Sequence, residues 1–205
     1  MTRPRISINF AVSADGKISS VARHPSGWTS KEDHARLLRL REKADALLVG
    51  RGTWEADRMT MKAPGNPWRC IVSRHGHFDP DHPLFHTEGG PIHLLVTEGE
   101  PPVIPGATIH TGTLSGFLQK LAGSGIKHLH CEGGGELARE LAAMDAIDEI
   151  HLTWAGHTLF GGREAPTISG VPGDFLPASR AYELVEFDPQ PETGECFLSY
   201  RRKAQ

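Results

Sequence analysis

Cysteine is scarce in this chain: three in 205 residues, at 70, 131 and 196, with no CxxC pair. An odd, scattered set excludes a disulfide framework and offers no zinc-ligand spacing. Charge of one sign is not in excess either, with 22 Lys and Arg against 25 Asp and Glu and a formal net charge of −3. That balance removes the electrostatic case for nucleic acid or an anionic membrane surface. No apolar run approaches the ~20 residues of a membrane span. The start, MTRPRISINF, lacks a signal-peptide pattern, so a cytoplasmic protein is expected.

Several catalytic signatures are missing as well. The sequence contains no HExxH, no GxxxxGK[ST] phosphate loop and no GxSxG nucleophile turn. Twelve histidines include the pairs His75/His77 and His128/His130, two apart, which would share one side of an extended strand. Nothing supplies further ligands at a metal-binding spacing, so these read as packing or solvent histidines and no metal is expected. The length suits one domain, residues 1–205, with a substantial core.

What is present centres on residues 126–154, IKHLHCEGGGELARELAAMDAIDEIHLTW. Ile126, Leu129 and Cys131 belong to a short strand that stops at Glu132. Gly133, Gly134 and Gly135 follow, and then Leu137, Leu141 and Met144 recur at helical spacing. Ile147, Ile150 and Leu152 open another strand. Glycines between a strand end and a helix start let backbone N–H groups approach a ligand, and the helix N-terminus favours an anion. A dinucleotide phosphate fits there; a purely steric need for glycine fits equally.

Earlier in the chain, 5–12 reads as a first strand, Asp15-Gly16 as a turn, and Lys17-Ile18-Ser19 as the start of a returning strand. Lys17 then stands just past a strand end. Ser30 with Asp33 resembles a helix N-cap pair, with Ala35, Leu37, Leu38 and Leu40 as the helix face and an end near Ala44. Trp28, just before the cap, is either a hydrophobic staple or a platform for a flat ring. Ala46 to Val49 is a buried strand leading into GRGTWEAD, where Gly50 and Gly52 flank Arg51 and Thr53 is placed to cap the following turn. Trp68 to Ser73 is a strand ending in Ser73-Arg74, a hydroxyl and a guanidinium able to grip a further phosphate. Ile92 to Thr97 is another buried strand, 113–122 a short helix, and the runs 182–187 and 196–201 a closing antiparallel hairpin.

Strands alternating with helices, followed by a hairpin, give an α/β class with a mostly parallel central sheet flanked by helices and an antiparallel edge. Ligands on such sheets collect beyond the carboxyl ends of the strands. Lys17, the segment from Gly50 to Asp57, Ser73-Arg74 and the run from Glu132 to Gly135 all fall at those ends.

The order of these motifs resembles the reductase domain of riboflavin biosynthesis, the C-terminal half of the bifunctional pyrimidine deaminase/reductase. The matching pieces are SADGKI (13–18), WTS (28–30), LLVGRGTWEAD (47–57), IVSR (71–74), CEGGGEL (131–137) and DEIHLTWAGHTLFGG (148–162), which together run through nearly the whole chain. The resemblance implies a dihydrofolate-reductase-like fold and NADPH as hydride donor. It also implies a phosphorylated pyrimidine substrate, a ribosylamine 5′-phosphate whose ribose is reduced to ribityl.

By the same resemblance Ala11, Trp28, Thr53, Asp57 and Ser73 fall at NADP-contacting positions. The turn from Gly134 into the helix (Gly133, Gly134, Gly135, Glu136, Leu137) joins them. Gly50 and Arg74 complete the cofactor set read from the residues. Ser26, Arg41 and Glu132 fall at substrate positions, and Lys62 stands, across a gap, near a family arginine. Lys17, Asp57 and Glu132 are the catalytic candidates: the carboxylates accept hydrogen bonds from ribose hydroxyls, and the lysine favours a phosphate or developing negative charge. A protonated lysine, a bound water and either carboxylate all stay open as general acid.

The segment after Asp57, RMTMKAPG, departs from the family in lacking an Asp-Pro pair. No HxE followed by PCxxC occurs, so a stand-alone reductase without a deaminase half is expected. Two other readings are an NADPH-dependent reductase of dihydrofolate, a pterin or a related heterocycle, and a non-catalytic nucleotide-binding protein. A homodimer is expected, because an edge of the sheet must be covered.

Overall fold

A computed structural model describes residues 2–23, 27–170 and 181–203, and the chain divides into two units. The first comprises Met1–Arg5 and Leu38–Cys131, the second Ile6–Leu37 and Glu132–Gln205.

The first unit holds β2 (Ala46–Gly50), α2 (Arg51–Ala56), β3 (Trp68–Ser73), β4 (Ile92–Val96), β5 (Ala107–Thr111), α3 (Leu114–Gly123) and β6 (His128–Cys131). A 3-10 turn, Pro83–His86, lies between β3 and β4. Its strands run in the order β5-β4-β3-β2-β6, and each pairing is parallel. Near-continuous apolar runs such as ALLV on β2 and IHLLV on β4 are what a parallel sheet buried on both faces requires. Its core joins Leu47, Val49, Ile71 and Leu94 to Trp54 of α2 and to Met61 beyond it.

The second unit holds β1 (Arg5–Ser13), most of α1 (Lys31–Glu42), α4 (Gly135–Ala143), β7 (Glu149–Ala155), β8 (Tyr182–Gln190) and β9 (Glu195–Arg202). Its strand order is β1-β7-β9-β8, with β1 and β7 parallel and the last two pairings antiparallel. The mostly parallel architecture with an antiparallel C-terminal hairpin is therefore present. A register shift between Leu184 and Glu186 puts a bulge in β8.

Three local expectations are corrected, and one strand goes unannounced. No strand returns over Lys17-Ile18-Ser19: the Lys17 carbonyl accepts from the Ser13 N–H, and the Ile18 N–H goes to the Pro166 carbonyl. Thr53 lies inside α2, whose N-cap is Gly50 with no side-chain cap. β5, with only Ala107 and Ile109 apolar, carries no run that announces a strand. The buried residue of α1 is Arg36, while Ala35 and Leu38 are exposed. The Arg36 guanidinium donates to Glu186 (2.9 Å), Ser199 Oγ (3.0 Å) and the carbonyls of Leu198 and Leu152, and lies 5.0 Å over the Phe197 ring. A five-donor fork satisfies strand groups that a leucine would leave unpaired. Burial pushes the Glu186 carboxyl up, but hydrogen bonds from Ser199 and Arg36 outweigh it and hold it below its usual range.

Histidines do pack the interior. His93 of β4 stacks flat on Trp68 (4.0 Å between centroids, 3°), and its Nδ1 faces His110 Nε2 at 2.9 Å. Burial, reinforced by His110, lowers the His93 pKa from 6.5 to about 4. The unfolded chain therefore binds this proton first. Stability present above pH 6.5 should drain away as pH falls towards 4. Thermal melts between pH 7 and 5 should show this loss in the wild type and a flatter profile in His93→Phe, which keeps the stack without the titration. Equal slopes in the two proteins would remove His93 as the cause.

Candidate active site

In the first unit, β2 and β3 are parallel neighbours, so Gly50 and Ser73 mark the same edge of that sheet. Gly50 is extended and caps α2 with no side-chain hydrogen bond. Asp57 closes the helix, its N–H bonded to the Thr53 carbonyl at 3.0 Å, and both residues are half-buried. Arg51 and Glu55 form a close i,i+4 pair at 2.6 Å. Ser73 is 2% exposed and its Oγ accepts the Gly76 N–H (3.0 Å), so this hydroxyl shapes the loop beyond β3. Arg74 is exposed, 3.8 Å from Glu98, and fits the demand for an accessible guanidinium. Lys62 is exposed between the buried Met61 and Ala63, which anchor its loop. Arg41 is half-buried in the last turn of α1.

In the second unit three motif segments meet. The Ser13 hydroxyl donates to Asp15 (2.6 Å) and accepts from the Lys17 N–H (3.0 Å). Asp15 also accepts from the backbone N–H groups of Gly161 (2.8 Å) and Phe160 (3.3 Å). The Ser13 hydrogen bond, aided by those two, holds the Asp15 carboxyl below its usual range. Phe160 and Trp28 in turn pack edge to face, with centroids 4.9 Å apart and rings at 88°. SADGK, WTS and HTLFGG are thus one cluster, with the Lys17 backbone fixed at a strand end. Asp15, read from sequence as a plain turn residue, is the clamp. Its partners lie 145 and 146 residues away, so no local pattern exposes this role.

Glu132 is half-buried and leads into the glycine turn. Gly133 has φ of +101°, favoured only for glycine, and a Cβ there would stand 3.2 Å from Phe10 of β1, beside Ala11. The Gly133–Gly134 peptide is cis. Gly134 caps α4 with no side-chain hydrogen bond, and the helix begins at Gly135. Gly135 serves packing: a Cβ there would fall 2.6 Å from the Thr167 carbonyl oxygen and the Gly170 Cα. The loop over 164–170, which sequence reading passed over, thereby braces the helix start. Glu136 is exposed, while Leu137 is 6% exposed, leaving its backbone as the part able to serve a ligand. Ser26 lies outside the described residues.

Among the described residues no group of three or more His, Cys, Asp or Glu side chains is arranged to hold a metal. Two helix starts, Gly50 in the first unit and Gly134 in the second, have no side-chain cap, and such a start favours an anion. Glycine at both caps keeps side chains away from the N–H groups.

Comparison with known proteins gives the family and the fold. An Archaeoglobus fulgidus protein named 2,5-diamino-6-ribosylamino-4(3H)-pyrimidinone 5′-phosphate reductase is 30% identical, over 81% of this chain and 86% of its own. The Methanothermobacter thermautotrophicus protein of the same name is 32% identical, over 81% and 83%. The crystal structure of a Thermotoga maritima bifunctional deaminase/5-amino-6-(5-phosphoribosylamino)uracil reductase superposes with a TM-score of 0.82 at 22% identity. That match covers 98% of this chain and 57% of the larger protein, and it establishes the fold. The profile of the RibD C-terminal domain matches residues 4–184, in accord with the motifs quoted above. The chain belongs to the RibD C-terminal domain family.

Proposed function

We propose that residues 1–205 act as one NADPH-dependent reductase domain, converting the ribosyl group of a pyrimidine ribosylamine 5′-phosphate to ribityl. The carrying observation is that this chain spans 86% and 83% of two archaeal proteins named as reductases of such a phosphate, at 30% and 32% identity. The cofactor, when bound, supplies the hydride. The chain's own residues bind and orient the partners.

In this reading the α4 N-terminus and the glycine turn take cofactor phosphate, Trp28 flanks a flat ring, and Arg74 takes the extra phosphate that distinguishes NADPH. Glu132 accepts hydrogen bonds from sugar hydroxyls, and Asp57 is a second carboxylate able to do so. Arg41 and Lys62 serve the substrate phosphate, and Lys17 holds a proton or a phosphate near the reacting carbon. Hydride addition to the ring-opened imine carbon leaves its nitrogen to gain one proton, which completes the balance.

A reductase of dihydrofolate or another heterocycle would have no sugar hydroxyls for Glu132. Oxidation of NADPH and of NADH is therefore to be followed with the pyrimidine ribosylamine phosphate, its deaminated counterpart and dihydrofolate side by side. Turnover on one of the pyrimidines, faster with NADPH, is expected; tight NADPH binding with no turnover on either would discard the substrate. The edge strand β8, with Leu184, Val185 and Phe187 exposed, supports a homodimer, and sedimentation as a monomer at micromolar concentration would remove it. A cytoplasmic location belongs to the same reading, and retention of a tagged copy in the soluble cell extract tests it.

A further inference from the structure

We infer that Glu195 is a positioning residue that holds the Trp28–Ser30 segment and the loop bearing Phe160 in register with each other. The inference rests on the reading of Trp28 as a cofactor contact and adds the residue that sets its place.

Glu195 opens β9, paired with Ala155 of β7 and Gln190 of β8. Its side chain has no solvent exposure. One carboxylate oxygen accepts the Ser30 backbone N–H at 2.8 Å, and the other accepts the Ser30 hydroxyl. His157 Nε2 stands 3.6 Å away on the first oxygen. The Ser30 Oγ also accepts the Asp33 N–H at 3.1 Å, and the Ser30 carbonyl accepts from the His34 N–H. The hydroxyl's single proton therefore goes to Glu195 and its lone pair to the helix.

Capping α1 needs none of this. A serine N-cap does its work with its own oxygen, and water satisfies its proton. Burying an acceptor-only carboxylate is costly unless donors converge on it. Here both hydrogen bonds come from Ser30, and the His157 imidazole, more than a hundred residues further along the chain, stands at ion-pair distance. Ser30 is two residues from Trp28, and His157 is three from Phe160, the ring that meets Trp28 edge-on. Glu195 holds the Ser30 backbone on one side of that aromatic pair and faces the His157 side chain on the other, and the Thr153 hydroxyl adds a 2.5 Å bond to Asp33 of the same helix start. Trp28 is thus held through its ring by Phe160 and, two residues along the chain, through the carboxylate's bonds to Ser30.

The test compares the full chain carrying Glu195→Gln, Ser30→Ala or both. Displacement of a contact by a fraction of an ångström or more costs affinity steeply. Each single variant should raise the Kd and KM for NADPH about tenfold, with kcat at saturation within about threefold. Because both changes cut one linkage, the double variant should be no worse than either alone. The Trp28 indole N–H resonance, assigned with Trp28→Phe, should shift in Glu195→Gln with or without NADPH. Wild-type NADPH affinity in a folded Glu195→Gln, additive losses, or an unmoved Trp28 resonance would each overturn the inference. Should Glu195→Gln fail to fold, Ser30→Ala decides, with Ser30→Thr expected to restore affinity. A wild-type protein that does not bind NADPH would sink the cofactor reading, while the Trp28 resonance would still judge the positioning role.

Discussion

Gly135→Ala is expected to lower the melting temperature by about 2–8 °C and to weaken NADPH binding about tenfold. Two effects oppose each other at this position. Alanine for glycine favours a helix by about 1 kcal/mol, and Gly135 is the first residue of α4 without a left-handed φ. Against that, the new methyl would meet the Thr167 oxygen and the Gly170 Cα at 2.6 Å and the Gly170 nitrogen at 2.7 Å. These are backbone atoms of a loop whose Pro166 carbonyl already accepts the Ile18 N–H, so they cannot swing aside as a side-chain tip would. Overpacking of this kind costs about 1–3 kcal/mol and moves either the loop or the helix start. Gly123→Ala is the matched control: it ends α3, has no atom within 4 Å of the added methyl, and should raise stability slightly. Thermal melts and NADPH titration of the two variants decide. An unchanged Gly135→Ala protein would mean that the 164–170 loop does not brace α4.

The same glycine shows where sequence reading stops. Three glycines between a strand and a helix suit both a ligand's approach and a steric need, and the backbone needs differ from one position to the next. Gly133 needs its positive φ and Gly135 needs room for Gly170, while Gly134 supplies the uncapped helix start. Elements with a strong local signal were legible: Trp68–Ser73 as a bounded apolar run, the C-terminal hairpin as two alternating runs, the Ser30 cap by its Asp33 partner. What was hidden depends on partners far along the chain. Arg36 is polar by composition yet buried, because Glu186 and Ser199 lie 150 and 163 residues on. Lys17 begins no strand, because Ile18 is already committed to Pro166. Glu195 looks like one more charged residue at a turn, and only the fold places Ser30 on it.

Glu132→Gln should lower kcat about a hundredfold while NADPH Kd stays within about twofold. The substitution keeps shape and volume and removes a negative charge at the residue where β6 has just ended and the glycine turn begins. A carboxylate offers acceptors on both oxygens, whereas the amide turns one into a donor that confronts a sugar hydroxyl's oxygen. In the proposed role the lost interaction is with the substrate as it opens and takes the hydride, so the loss belongs in kcat and kcat/KM together. In the proposed reading cofactor phosphate, by contrast, is held through the backbone of the following turn and the start of α4, which the substitution leaves alone. Single-turnover oxidation of bound NADPH, read beside equilibrium titration, separates the two steps. If NADPH affinity falls as far as turnover, Glu132 belongs to the cofactor side. If neither changes, the proton and the sugar contacts rest on Lys17 and Asp57, and the reduction runs without the carboxylate at the head of the glycine turn.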